Sequence, residues 1–219
     1  MRFDRFCPLL ARLGRALGLL RSLTRSAGAC GHALLALACL SLPAGAEEPW
    51  YKIEVLVFAH TSPAALKEQD WRALEIPRRA DAIELGNNGN GAYQRLPANN
   101  LVLTAEKNRL TEEADYHTLF HGAWYQPVGD AASALPVRLR GGKLMPNNAY
   151  ELDGYVTLDL DEYLNIHPDL YYSFKAPAGS GASDDKILSA NLKTSRRIEV
   201  DEIHYIDHPL FGMLVVIQR

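Results

Sequence analysis

HYIDHPLFGMLVVI, residues 204–217, decides the reading of this chain. It sets His204, Asp207 and His208 within five residues, turns through Pro209 and Gly212, and enters an unbroken apolar run. Such a stretch is either a metal or catalytic set or a tightly built hairpin. Zinc takes three or four His, Cys, Asp or Glu ligands converging on one point. An i, i+4 pair that spans a strand and a turn has no fixed common direction. His117 and His121 are also four apart, but on a strand they lie ~13 Å from each other at 3.3 Å per residue. There is no H-E-x-x-H, no cysteine pair and no G-x-S-x-G. Neither metal nor cofactor is expected. The hairpin reading accounts for more. Pro209 keeps His208 extended and stops the incoming strand. Asp207 accepts a backbone N–H within the turn, and Gly212 supplies a positive φ. The residues before the turn then pair with Met213–Ile217, and Leu210 and Phe211 cover the hairpin end.

Working outward, WYKIEVLVFAH (50–60) reads as a central strand, apolar on both faces. Residues 61–100 read as irregular, with Pro63, Pro77, Pro97 and the loop GNNGNG at 86–91, and with Trp71 and Leu74 tucked against the core. TAEKNRLTEEADY (104–116) is predicted as a helix capped by Thr104, with Leu110 and Ala114 on its apolar side. HTLFHGAWYQP (117–127) alternates as a strand. VRLRGG (137–142) is a short edge strand or turn. ELDGYVTLDL (151–160) puts Leu152, Val156 and Leu158 on a dry face and Asp153, Tyr155 and Asp159 on a wet one. DLYYSF (169–174) is its partner, KAPAGSGASDDK (175–186) a mobile loop, and 187–206 contains one long strand. Sequential strands joined by turns favour antiparallel pairing. The expected fold is α+β: a mostly antiparallel meander sheet with one main helix packed on it.

Residues 1–46 stand apart. Six arginines precede HALLALACLSLPAGA, a short apolar stretch ending in Ala44-Gly45-Ala46. Together they describe a secretory signal peptide, too short in its apolar core for a span of ~20 residues. Cys30 and Cys39 are preceded at the third position by Ala27 and Ala36, where a lipid-modification motif prefers Leu. The domain is expected to run from 47 to 219. All three cysteines, Cys7, Cys30 and Cys39, lie in the leader, so the exported domain has neither disulfide nor thiol nucleophile. Export of a cysteine-free domain of this size points to the periplasm of a Gram-negative cell, with no transmembrane segment after the leader. Of 23 basic and 26 acidic residues, the leader holds six and one. That leaves 17 and 25, a net of −8 for residues 47–219. Such a surface disfavours nucleic acid and other polyanions except at a local basic cluster.

SRRIEVDEIHYIDHPLFG resembles the C-terminal signature of the CsiV family of peptidoglycan-binding periplasmic proteins. WYKIEVLVF, LFHGAWYQP and ELDGYVTLDLDEYLNIHPDL resemble its opening strand, its histidine–tryptophan segment and its middle hairpin. The hairpin departs from the family at Glu162-Tyr163-Leu164-Asn165, where Arg-Tyr-Leu-His is usual. The resemblance implies a non-enzyme that binds peptidoglycan and assists an outer-membrane lipoprotein in activating a bifunctional penicillin-binding synthase. Two alternatives stay open: a wall-glycan hydrolase using an unidentified carboxylate pair, and an adaptor that binds protein only.

The candidate ligand contacts follow from residue chemistry. Arg196 and Arg197 are adjacent and point to opposite strand faces, so one of them can grip a carboxylate by a two-bond fork. The competing role is an ion pair with Glu199, Asp201 or Glu202. His121 and Trp124 offer sugar stacking, against ordinary core packing. His204, Tyr205, Asp207 and His208 complete the set. If the leader is removed as its A-G-A end implies, mass spectrometry of the periplasmic protein will find an N-terminus near Glu47. An intact leader, or lipid on Cys30 or Cys39, contradicts this.

Overall fold

The computed structural model describes residues 48–60, 71–87, 91–176 and 186–219, and Ala46–Arg219 forms one compact unit. In chain order its strands are β1 (Trp50–His60), β2 (Ile83–Glu84), β3 (Gly86–Asn87), β4 (Gln94–Arg95), β5 (Tyr116–Pro127) and β6 (Val137–Leu144). There follow β7 (Tyr150–Leu160), β8 (Leu164–Lys175), β9 (Ile187–Lys193), β10 (Arg196–Arg197), β11 (Ile203–His208) and β12 (Phe211–Gln218). One α-helix among the described residues, α1 (Thr104–Glu112), precedes β5.

The strands form two sheets, not one meander. The first has the order β11-β12-β1-β5-β4-β3 and the second β10-β8-β7-β6-β2, with β9 also paired to β8. Only the two-residue pairings β2–β6 and β3–β4 are parallel among the paired strands. β1 is the centre of the first sheet. Its β-branched residues suit extended backbone, and it is buried without a break from Ile53 to Ala59. Ile53, Val55 and Val57 turn to one side, with Met213, Val215 and Ile217 of β12 and Trp124 of β5. From the second sheet, Val137, Leu139, Leu152, Val156, Leu158, Ile166 and Leu170 join the same cluster. The main core is therefore shared between sheets.

The helix is shorter than its pattern predicted and buries no residue of its own. Leu110 is partly buried against a smaller cluster of Leu56, Phe58, Leu103 and Val216 on the other side of β1. Thr104 is not the cap: Leu103 holds that position, with no side-chain cap bond. The entry to the helix is instead held from the sheet. Glu54, 1% exposed, accepts the N–H groups of Val102 (2.7 Å) and Leu103 (2.8 Å), and its Oε1 lies 2.9 Å from His121 Nε2.

Other expectations change for long-range reasons. The long strand over 187–206 is broken into β9, β10 and β11, and the last lies in the other sheet. The step from β10 into β11 includes Asp201, at φ 63°, a left-handed conformation that Asp tolerates. GNNGNG contributes Gly86–Asn87 to β3; residues 88–90 lie outside the described set. Most of the loop expected over 175–186 also lies outside it. The face of β7 expected to be wet is largely buried at Asp153, Tyr155 and Asp159. The chain from Arg72, bridged to Ser189 of β9, to Ile83, paired with β6, crosses that face. On the way Pro77 accepts the Tyr155 hydroxyl (3.0 Å). Trp71 packs on the main core, whereas Leu74 is exposed.

The hairpin of the opening stretch forms as expected, with Asp207 opposite Gly212 and His208 opposite Phe211. Leu210 and Phe211 are buried. The reason for Gly212 differs: its φ is not positive. A Cβ there would lie 2.8 Å from both Phe58 Cζ and Tyr205 Cε2, so the position needs closeness, not backbone freedom.

Burial pushes the Glu54 carboxyl up, but the His121 ring and the two backbone N–H groups outweigh burial and hold it below the ordinary glutamate value. A folded value below the unfolded one gives stability that is complete above pH ~4.3 and is lost as pH falls through the folded value. Glu54→Gln is expected to cost about 1–3 kcal/mol at pH 7. Thermal melts at a series of pH values should show the gap to wild type narrowing below pH ~4. A constant gap contradicts the assignment.

Candidate functional site

The residues singled out from the sequence do not come together. His204, Ile206 and His208 lie on one face of β11, and Tyr205 and Asp207 on the other. The Glu199 N–H donates to His204 Nε2 (3.0 Å). His208 Nδ1 accepts the Leu210 N–H (3.2 Å), and its ring lies 5.0 Å from Phe211 and 6.0 Å from Trp71. Burial pushes the His208 pKa down, which keeps the ring neutral at pH 7. Tyr205 stacks on Phe58 (6.2 Å) and donates to Asp207 Oδ1 (2.6 Å). Partial burial, then that bond, pushes its hydroxyl pKa above the ordinary tyrosine value. Asp207 thus bonds the Tyr205 side chain rather than a backbone N–H of the turn.

His121 and Trp124 are not a sugar platform in this structure. Trp124 is fully buried and donates its indole N–H to Gln126 Oε1 (2.7 Å). His121 is turned to Glu54, on the opposite side of the sheet. Arg196 and Arg197 form the two-residue edge strand β10, and both are exposed. Arg197 lies 3.7 Å over the Tyr163 ring and pairs with Glu199 Oε1 (2.9 Å), so the expected ion pair is present. Its register partner is Asn165. Among the described residues, no group of three or more His, Cys, Asp or Glu is arranged to hold a metal ion.

A different cluster does converge. Arg95, Arg138 and Arg140, with Glu84, Leu85 and Tyr150, line a cleft of about 340 Å³. The period of a strand places Arg138 and Arg140 on one face of β6, opposite Val137 and Leu139 in the core. Residues 83–87 step from the second sheet at β2 to the first at β3, and the cleft lies at that crossing. Arg138 makes a two-bond fork to Asp153, from Nε (2.8 Å) and Nη2 (2.7 Å), and its Nη1 reaches Glu84 (3.2 Å). The bonds to Asp153 push Arg138 above the usual arginine range. Arg140 Nη2 reaches the other Glu84 oxygen (3.0 Å). Arg95, opposite Trp124 in register, lies 4.8 Å over the Phe120 ring. Its half-buried guanidinium pairs with no carboxylate among the described residues. Burial pushes its pKa down, but guanidinium remains charged at any physiological pH.

Residues 30–219 match the family model described as "Peptidoglycan-binding protein, CsiV". The match covers most of the chain, which therefore belongs to the CsiV family of peptidoglycan-binding proteins. Comparison with curated proteins and with solved structures returns no match. Among the described residues no helix is long and apolar enough to cross a membrane.

The cleft as a whole is not announced by any contiguous stretch of the sequence. Its signal was V-R-L-R, where the two-residue spacing alone puts both arginines on one strand face. Arg95 carried no comparable signal, because only long-range pairing brings it there. The two strand arginines have different structural weight. Arg138→Ala leaves the Asp153 carboxylate, 8% exposed, without its partner and is expected to cost about 3 kcal/mol. Arg140→Ala removes an exposed pair and should stay within ~0.5 kcal/mol. Chemical denaturation of both variants checks the contrast; equal losses contradict it.

Proposed function

We propose that this chain is an exported, non-catalytic peptidoglycan-binding accessory protein of the periplasm, assisting lipoprotein-dependent activation of a bifunctional penicillin-binding synthase. The observation that carries the reading is the family match over residues 30–219. The signal-peptide pattern of residues 1–46 and a domain free of cysteine accord with export. Peptidoglycan is anionic through its stem peptides, and residues 47–219 carry a net of −8. Long-range attraction therefore opposes the encounter, and binding rests on short contacts at local basic groups. The Arg95–Arg138–Arg140 cleft and the β10 edge with Arg196, Arg197 and Tyr163 are such places on the described surface.

Co-sedimentation with purified sacculi tests the reading. The protein is expected in the pellet with no soluble muropeptide released. Protein left in the supernatant, or muropeptide release, contradicts it. Close pairs resist screening that acts beyond ~8–10 Å. Binding should thus fall less than about tenfold between 50 and 200 mM salt, against the ~10³–10⁵ lost by proteins held to a polyphosphate through many exposed contacts. Recovery of the lipoprotein and synthase with the protein after cross-linking in cells would support the partner assignment; their absence would contradict it.

A further inference from the structure

The arginine cleft has the chemistry of a carboxylate receptor. Guanidinium presents paired N–H donors in a planar fork that matches the two oxygens of a carboxylate. In a domain with eight excess acidic groups, three guanidinium groups share one concavity. Two carboxylates answer them. Asp153 is buried behind Arg138 and fixed by two bonds. Glu84 is exposed and bridges Arg138 and Arg140. Arg95 has neither, although it is half-buried against an aromatic ring. A half-desolvated cation with an aromatic neighbour but no carboxylate among the described residues represents binding free energy that no described carboxylate uses. The cleft volume lies within the ordinary range for small-ligand sites, and Tyr150, 39% exposed, gives its rim an aromatic face.

We propose that Arg95, Arg138 and Arg140 form the subsite that takes a free carboxylate of the peptidoglycan stem peptide. The inference rests on the peptidoglycan-binding reading and adds to it where the wall is gripped and by which group. Arg138 is the fixed wall of the site, since Asp153 holds it. Arg95, which pairs with no carboxylate among the described residues, is the open donor. Arg140 is shared: an entering carboxylate competes for it with Glu84, which acts as an internal stand-in for the ligand. That competition makes a prediction of opposite sign. Removing the Glu84 charge frees Arg140 and strengthens binding, whereas removing the charge of Arg95 or Arg140 weakens it.

The test compares sacculus binding on two wall preparations, one native and one whose carboxylates have been converted to neutral amides and washed before protein is added. Wild type is expected to bind native sacculi at least about tenfold more tightly than amidated ones. Arg95→Gln and Arg140→Gln should each lose about tenfold on native sacculi, the scale of one hydrogen bond to a charged group. Both should bind the two preparations nearly alike. Arg95→Lys, which keeps charge but loses the fork, should recover only part of the loss. Glu84→Gln should bind native sacculi a few-fold more tightly, with no gain on amidated sacculi. Thermal melts serve as the folding control, and Arg140 is exposed enough that its variant will fold. If wild type binds both preparations equally, or if the folded arginine variants bind native sacculi like wild type, the subsite assignment is wrong while wall binding stands. If wild type binds neither, the wall-binding reading fails and this inference with it.

Discussion

A carboxylate in the middle of a doubly buried strand organises the first sheet. β1 is covered on both sides from Ile53 to Ala59, and Glu54 lies within that run. An ionised carboxylate in such a place persists only when paired and hydrogen-bonded. Glu54 meets that demand with three partners from two elements: the backbone N–H groups of Val102 and Leu103, and the His121 ring of β5. These bonds do more than neutralise a charge. They fix where the chain enters α1, which lacks a side-chain cap, and they tie β5 to β1 beside the bulge at Val57–Phe58. Leu103 then closes over Leu56 and Phe58. His121, whose type and position invite a functional reading, is bound up in this structural task.

The second organising fact is that the chain changes sheet twice in short steps, at residues 83–87 and again between β10 and β11. Both crossings lie at sheet margins, and both carry arginine. At the first, Arg138 and Arg140 of one sheet meet Arg95 of the other, and a basic concavity results on an acidic domain. At the second, Arg196 and Arg197 are exposed on a two-residue strand, and Arg197 is stacked on Tyr163 and paired with Glu199. The difference lies in what each guanidinium already has. Arg197 is served by its neighbours, while Arg95 is partly removed from water and has no carboxylate among the described residues.

Much of the local structure was legible in the sequence, because it depends on local rules. The two-residue period and β-branched residues marked β1, β7 and β12, and Pro209 with its flanking apolar residues marked the last hairpin. The two-sheet arrangement was not legible. Alternation says which side chains share a face, not which strand lies beside them. For the same reason the face of Asp153, Tyr155 and Asp159 read as wet: Tyr155 is met by Pro77, from a segment about 80 residues away in sequence, and Asp153 by Arg138 of the neighbouring strand. Gly212 was identified as necessary, but by a backbone argument where a steric one holds. The site was half legible. Arg138 and Arg140 were visible through their spacing once a strand is assumed, but adjacency drew notice to Arg196 and Arg197 instead. Arg95 becomes part of the site only through the register of β4 on β5.

The central claim is that an acidic protein holds an anionic wall through one arginine cleft at the seam between its sheets. The most direct measurement follows arginine side-chain Nε–Hε resonances by NMR while a soluble disaccharide-tetrapeptide is titrated into the protein. The account predicts that Arg95 and Arg140 shift together along one saturating curve, with Arg196 and Arg197 unmoved. Shifts confined to Arg196 and Arg197, or no arginine shift on a binding-competent protein, would contradict it.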